Sequence, residues 1–202
     1  MKRRIAVLII TILQLFSLPV YAGAPLDTVQ CNVNKVLEIL RDPVLKSAAA
    51  EETKREKLRI IYEHMFDDVE LSKRALARHW NSINNTQRRE FVQLFRQVIE
   101  KTYIDHILSY SNEKIVFDSE TMVSAGKAEV QTRIVTSSKE IPVFYRMIVN
   151  GDEWKVYDVV IENVSMDLNY RSQFNDILAK NTFEQLLEIL RKKVKMQDKG
   201  DR

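Results

Sequence analysis

The sequence predicts an α+β fold, in which helices come first, antiparallel strands follow, and helices close the chain. Up to about residue 108 the apolar residues recur at the three- and four-residue steps of amphipathic helices. At Ser109 the apolar period changes to two, as in strands with one buried face. The helical period returns around Tyr170. Helices and strands that occupy separate stretches of the chain are typical of an α+β domain.

Four helices are predicted before the strands. The first carries apolar residues from Leu26 to Leu40 and ends before Pro43, and the second follows the charged stretch Glu51 to Lys57. A short third helix runs from about Leu71 to Trp80, and a long fourth one reaches from an N-cap at Thr86 to about Leu108. The wide apolar stripe of the fourth helix contains Phe91, Leu94, Phe95, Val98, Ile99 and Tyr103.

About four antiparallel strands and two closing helices complete the prediction, so that about six helices cover the sheet. Asn150-Gly151 separates the last two strands, and this pair indicates a hairpin because both residues tolerate a positive φ. The strands are Lys114 to Asp118, Ala128 to Thr136, Ile141 to Val149 and Trp154 to Val164, and the helices lie around Tyr170 to Leu178 and Phe183 to Val194.

The first 22 residues have the features of a cleaved signal peptide. A basic start precedes the apolar run Ile5 to Leu18, and small residues follow that suit cleavage after Ala22 or Ala24. The run is shorter than the ~20 residues of a membrane span, which favours export over anchoring. We therefore expect a periplasmic protein whose residues 23–202 form a single domain.

The charge pattern argues against a nucleic-acid partner. Three of the 31 basic residues lie in the signal segment, so 28 remain against 28 acidic ones. A neutral body gives little affinity for phosphate backbones. The exception is a basic tail at 191–202, which we interpret as a solvated helix end, with contact to anionic membranes as the alternative. Cys31 is the only cysteine and is predicted to be a small buried side chain.

Most catalytic and cofactor motifs are missing. With four glycines in the chain, there is no glycine-rich loop for a phosphate, and no G-x-S-x-G motif for a nucleophilic serine. The three histidines, His64, His79 and His106, do not have the i, i+4 spacing that places two metal ligands on one helical face. We therefore predict neither a metal nor a cofactor.

One strand could carry acid–base chemistry. By a period of two, Trp154, Val156, Asp158, Val160 and Glu162 share one face. A carboxylate beside an aromatic ring in an apolar site can have a raised pKa, which would suit a small-molecule isomerase or lyase. The favoured interpretation is that Asp158 accepts structural hydrogen bonds, because no oxyanion donor accompanies it.

Three blocks of sequence together resemble a known family. They are Leu76-Ala77-Arg78-His79-Trp80 with Thr86-Gln87-Arg88 and the aromatic residues Phe91, Phe95 and Tyr103; Trp154-Lys155-Val156-Tyr157-Asp158-Val159 with Glu162-Asn163-Val164-Ser165; and Asn169-Tyr170-Arg171-Ser172-Gln173-Phe174. Their order and spacing are similar to those of the toluene-tolerance auxiliary family, across nearly the whole chain after the signal segment. In two places the sequence departs from the family pattern, because Ala77 and Asn163 stand where the family usually has glycine. Asn163 tolerates a left-handed backbone, whereas Ala77 suggests an ordinary helical turn.

The resemblance implies a soluble periplasmic phospholipid carrier that is not an enzyme. Its expected fold is a twisted antiparallel sheet similar to the nuclear-transport-factor-2 cone, with helices that enclose an apolar lipid cavity. The expected partners are an outer-membrane lipoprotein and porin complex, and an inner-membrane ABC transporter with an MCE-type lipid-binding ring. Carriage of lipid between them would maintain the lipid asymmetry of the outer membrane, and the cargo could be a glycerophospholipid or a hopanoid-related lipid.

Seven residues are candidates for contact with the lipid. The family motif points to Val164, where the last strand leaves the sheet, and to Met166 beside it. Tyr145 and Met147 match the strand pattern. The remaining candidates, from the stripe of the long helix, are Leu94, Val98 and Tyr103. Each of the seven has an alternative role in a filled core, which periodicity alone does not distinguish from a cavity wall.

Overall fold

The computed structural model describes residues 24–109 and 113–200. The predicted signal peptide, residues 1–22, lies outside the described residues. Six α-helices are present in this part of the chain: α1 (Pro25–Arg41), α2 (Glu51–Met65), α3 (Asp68–Leu76), α4 (Asn85–Leu108), α5 (Met166–Leu178) and α6 (Phe183–Gly200). Short 3-10 helices span Pro43–Leu45, Ala48–Ala50 and Ala77–Ser82. None of the described helices is both long and apolar enough to cross a bilayer.

Among the described residues, one antiparallel sheet follows the first four helices. Its strands are β1 (Lys114–Ser124), β2 (Lys127–Val135), β3 (Glu140–Asn150), β4 (Glu153–Ile161) and β5 (Val164–Ser165), and they lie in this order across the sheet. The predicted hairpin between the last two long strands is confirmed, with Gly151 at φ 62°. The α+β class is confirmed as well, since six helices accompany this sheet.

The last predicted strand breaks before Val164. Glu162 and Asn163 both have positive φ, at 48° and 66°, and this turn sends the two-residue strand β5 back beside Ile161. The left-handed backbone expected of Asn163 is confirmed. The sheet thus has five strands and not four, because the turn folds the end of the predicted strand against itself.

A register shift divides β4 into two parts. Met147 lies opposite Val156 and Arg146 lies opposite Asp158, so Tyr157 is an extra residue in β4. Because Met147 and Arg146 face opposite sides of the sheet, Val156 and Asp158 do so too. The prediction that Val156 and Asp158 share one face is therefore wrong, and the bulge is the reason.

The main core lies where α4, α5 and α6 pack together and against the sheet. Phe91 and Phe95 of α4 are fully buried, and the ring of Phe95 lies 4.8 Å from that of Tyr170 and 5.1 Å from that of Phe174. Leu186 of α6 belongs to the same cluster. Edge-to-face contacts of this kind stabilise a core beyond simple burial.

Three local predictions are wrong. Ala77 does not form an ordinary helical turn, because its φ of 47° and ψ of −118° end α3 abruptly. Asn84 and not Thr86 caps α4, and it forms a capping box with Gln87. Cys31 is exposed, because it lies about 200° around the helix from the buried residue Val29.

Candidate functional site

A partly open apolar cavity of about 400 Å³ lies between the helices and the sheet. Its walls are formed by α1, α2, the C-terminal part of α4, and one face of strands β1 to β4. It adjoins the aromatic core but does not coincide with it. The volume falls within the range typical of small-molecule pockets.

The helical wall is built from the inward stripes of α1 and α2. Amphipathic spacing directs the apolar side chains of both helices to the same side, since residues three and four apart share a face. The α1 residues are only half-buried, whereas Leu58 and Ile61 of α2 are buried. The lining residues of these two helices are Val33, Val36, Leu37, Leu40, Leu58, Ile61, Tyr62 and Met65.

The sheet wall comes from alternate residues of neighbouring strands. Val143 lies opposite Ile161 and Tyr145 lies opposite Val159, so these four side chains form one apolar patch across β3 and β4. Ile134 lies opposite Ile141 and extends the patch across β2. The wall is thus continuous over three strands, and Ile115 of β1 adds to it at the edge.

The polar lining residues lie together near one end of the cavity. His106 and Ser109 at the end of α4 are exposed, and Glu113 and Thr136 also belong to the lining. These residues come from the end of α4, the segment before β1 and the segment after β2. We call His106, Ser109, Glu113 and Thr136 the rim, because this is where the apolar wall gives way to polar groups.

Tyrosine rings contribute to the wall, and each hydroxyl stays protonated at neutral pH. Tyr62 stacks on Phe66 with ring centroids 4.5 Å apart, and its hydroxyl donates a hydrogen bond of 2.8 Å to Asp68. Burial raises the pKa of Asp68 to about 6. Burial also raises the pKa of Tyr103 and of Tyr145 to about 12 each. The tyrosines therefore provide apolar ring surface and no phenolate base.

The structure separates the seven candidate lipid-contact residues. Tyr103 and Tyr145 line the cavity. The other five lie outside its lining: Val98, Met147 and Met166 are buried in the core, Leu94 is half-buried against that core, and Val164 is 60% exposed on β5.

Position along the elements explains this separation. Val98 lies more than a turn before Tyr103 on α4, where the helix covers the packed core. Met147 shares a face with Tyr145 but lies further along β3, in that same core. The stripes of α1 and α2 were visible in the sequence, but no sequence signal indicated that they face a cavity.

Asp158 is a structural hydrogen-bond acceptor on the opposite side of the sheet from the cavity. Its buried carboxylate accepts from the Ser165 hydroxyl at 2.7 Å, the backbone N–H of Asp167 at 2.9 Å and the Arg146 guanidinium at 3.1 Å. These bonds connect β4 to β3 and to the start of α5. The interpretation of Asp158 as an acceptor is confirmed. Within residues 24–109 and 113–200, no cluster of three His, Cys, Asp or Glu side chains could hold a metal ion.

Comparisons with known proteins agree on one family. Over 119 residues the chain is 28% identical to the intermembrane phospholipid transport system binding protein MlaC of Haemophilus influenzae. This match covers 56% of this chain and 56% of that protein. It is 26% identical over 96 residues to the toluene tolerance protein ttg2D of Pseudomonas putida, which covers 47% of this chain and 45% of that protein. The chain thus spans about half the length of the curated relatives it matches.

A solved structure has the same fold. The phospholipid-binding protein from Ralstonia solanacearum, solved in complex with a phospholipid, matches with a TM-score of 0.76 and 19% identity. The match covers 87% of this chain and 99% of that one. The family model of the MlaC protein matches residues 30–192, which contain most of α1 and every later element up to the middle of α6. The family predicted from the three sequence blocks is confirmed: the chain belongs to the MlaC protein family.

Proposed function

We propose that this protein carries phospholipid, with the acyl chains held in the cavity between α1, α2, α4 and the sheet. The apolar lining of that cavity is the observation that carries the proposal. The names of the two relatives, a phospholipid transport system binding protein and a toluene tolerance protein, support it, as does the phospholipid bound to the structural relative.

The energetics suit a carrier. Each methylene removed from water contributes about 0.8 kcal/mol, so two long acyl chains represent on the order of 20 kcal/mol of exposed apolar surface. Unaided departure of a phospholipid from a membrane is therefore very slow. The isoleucine, valine and leucine side chains of the cavity replace the bilayer as surroundings for the chains, while the partly open wall leaves a route for release.

The rim is suited to the polar end of the lipid. His106 and Ser109 are exposed and offer hydrogen-bonding groups where the apolar wall ends. A headgroup placed there keeps contact with water, which avoids the cost of burying a charged phosphate. The rim therefore sets the orientation of the lipid, with the chains inward and the headgroup outward.

The carrier would act in the periplasm, between the two membranes. The export signal predicted at residues 1–22 supports this location. Family membership supports the expected partners, an outer-membrane lipoprotein and porin complex and an inner-membrane ABC transporter with an MCE-type ring. Traffic between these partners would maintain the lipid asymmetry of the outer membrane.

The test is the lipid content of the purified protein with and without a charge in the wall. Native mass spectrometry and lipid extraction should find phospholipid bound to the wild-type protein. Val159→Glu puts a carboxylate into the sheet wall, where an unpaired charge costs several kcal/mol in contact with acyl chains. We expect this variant to hold little lipid. The matched control is Val123→Glu, because Val123 is 67% exposed at the end of β1 and outside the lining.

Circular dichroism on the same samples separates loss of cargo from loss of fold. Wild-type protein without lipid that takes up none from vesicles, or a folded Val159→Glu protein with full lipid content, would refute the proposal. Val164→Glu tests whether the wall reaches β5. Val164 lies opposite Ile161 but is largely exposed, so we expect a smaller loss of lipid than at Val159.

A further inference from the structure

Helix α6 has an inward face that belongs to the core and an outward face that nothing described in the chain covers. Leu186, Leu187 and Leu190 are buried against α4 and its neighbours. On the other side, Ile189 is 41% exposed and Met196 is 73% exposed. These two residues lie seven positions apart and therefore share one face, two turns from each other. An exposed pair of large apolar side chains on one helix face is suited to contact with another surface.

The same face carries positive charge. Around the helix, Lys192 and Lys193 lie on either side of the line from Ile189 to Met196, Lys195 lies at the edge of this face, and all three lysines are exposed. Within the described part of the chain none of the three has an ion-pair partner, although the Lys193 ammonium lies 5.7 Å from the Tyr170 ring centre.

The two glutamates of α6 do not offset this charge, and the third acidic residue of the helix, Asp198, follows the basic stretch in sequence. Glu184 and Glu188 lie in the first half of the helix, and both pair with Arg191, which also binds Glu90 of α4. The ion pairs of α6 are thus concentrated in its first half, and positive charge dominates the stretch from Lys192 to Lys195.

The C-terminal end of this face lies beside the second half of α4. The side-chain amide of Gln197 donates to the Thr102 hydroxyl at 3.1 Å, which fixes the second half of α6 against the second half of α4. Tyr103, the next residue of α4, lines the cavity, and His106 of the rim lies one turn further on. Arg191 binds Glu90 near the start of α4, so the face runs along α4, and only its Met196 end lies beside the half of α4 that carries the rim.

We propose that the outward face of α6, formed by Ile189, Lys192, Lys193, Lys195 and Met196, binds the anionic lipid surface of a membrane. Lysines beside exposed apolar side chains suit a helix that lies on a bilayer, with its charges on the headgroups and its apolar side chains among them. Docking by this face places its Met196 end, and with it the half of α4 that leads to the rim, towards the headgroup layer. The claim that this placement serves lipid exchange rests on the proposed function. The claim that the face binds an anionic membrane does not.

The experiment measures flotation of the full chain with two kinds of vesicle, one of phosphatidylcholine alone and one that also contains phosphatidylglycerol. We expect binding only to the anionic vesicles, and its loss at high salt, where charges are screened. The triple variant Lys192→Glu, Lys193→Glu, Lys195→Glu should bind at least a hundredfold more weakly, at about fivefold for each lysine removed. Met196→Ser should weaken binding severalfold without changing the salt dependence.

The matched control is Lys35→Glu, Lys57→Glu, Lys73→Glu, which changes the net charge equally at exposed lysines on α1, α2 and α3. Equal loss of binding in this control, or no binding of the wild-type protein to anionic vesicles, would overturn the proposal. The proposal would also be overturned if the α6 variant still bound vesicles but no longer bound a protein partner. The face would then be a protein-binding surface. Lipid extraction keeps the two proposals apart: the α6 variant should retain its bound phospholipid, and a wild-type protein that binds vesicles but holds no lipid would refute only the carrier.

Discussion

Replacement of Asp158 by asparagine tests whether its carboxylate has a structural or a catalytic role. In the wild-type protein one carboxylate oxygen accepts from the Asp167 N–H, and the other accepts from the Ser165 hydroxyl and the Arg146 guanidinium. The asparagine oxygen can retain the first of these bonds. The NH₂ group of the asparagine then faces two donors, the Ser165 hydroxyl and the Arg146 guanidinium. The hydroxyl can rotate and accept a hydrogen bond from the NH₂ group. The guanidinium cannot accept a hydrogen bond.

The variant therefore loses one charge-assisted hydrogen bond outright and weakens another. A hydrogen bond to a charged group contributes about 1.5–3 kcal/mol, so we expect the free energy of unfolding to fall by about 2–3 kcal/mol. Urea denaturation measures this loss. Asp152→Asn in the exposed turn between β3 and β4 is the matched control, with an expected change within about 0.5 kcal/mol.

Lipid extraction from the same Asp158→Asn protein completes the test. Because Asp158 lies outside the cavity lining, the folded variant should hold as much phospholipid as the wild-type protein. An unchanged free energy of unfolding would refute the structural role. A folded variant that has lost its lipid would instead mean that the carboxylate takes part in cargo binding.

Two further predictions concern backbone strain and pH. Ala77→Gly should raise the free energy of unfolding by about 1 kcal/mol, because glycine adopts a φ of 47° without the strain of a side chain. Ala179→Gly, at φ −68°, should lower it by about 0.5–1 kcal/mol, and equal losses at both positions would contradict the strain. Since burial raises the pKa of Asp68 to about 6, the folded state favours its protonated form, and that stabilisation is lost as pH rises through about 6. Asp68→Asn should therefore gain stability relative to the wild-type protein between pH 4 and pH 7 in urea unfolding, and a difference independent of pH would refute this.

The fold was predictable because its signals are local. The change of apolar period at Ser109 and the Asn150-Gly151 turn depend on residues close in sequence, and both predicted the correct elements. The bulge at Tyr157 was not predictable, because the residue types in β4 are those of an ordinary strand. Only the pairing with β3 shows that one residue is extra. Asp158 therefore faces the opposite side from the one that simple alternation predicts.

The cavity was predictable only in part, for a different physical reason. Apolar spacing shows that Val36 and Ile61 face inward, but a filled core and a cavity wall require the same side chains. The difference depends on how closely α1 and α2 approach the sheet, which is a property of the whole fold. Tyr103 and Tyr145, chosen from their pattern, line the cavity, whereas Val98 and Met147, with equally apolar patterns, lie where the helices close tightly on the sheet.

If the proposed function is right, the half-buried stripe of α1 links the thermal stability of the protein to its occupancy by lipid. Val33, Val36 and Leu37 line the cavity, so their side chains lack packed neighbours on the cavity side. Apolar atoms without neighbours lose dispersion energy. A molecule that fills the cavity supplies those contacts to the native state and none to the unfolded chain. By mass action it raises the melting temperature. A melting curve of a carrier of this kind would report how much of the sample has bound lipid. Melting curves recorded with separate membrane lipid extracts would therefore show which lipids the protein binds.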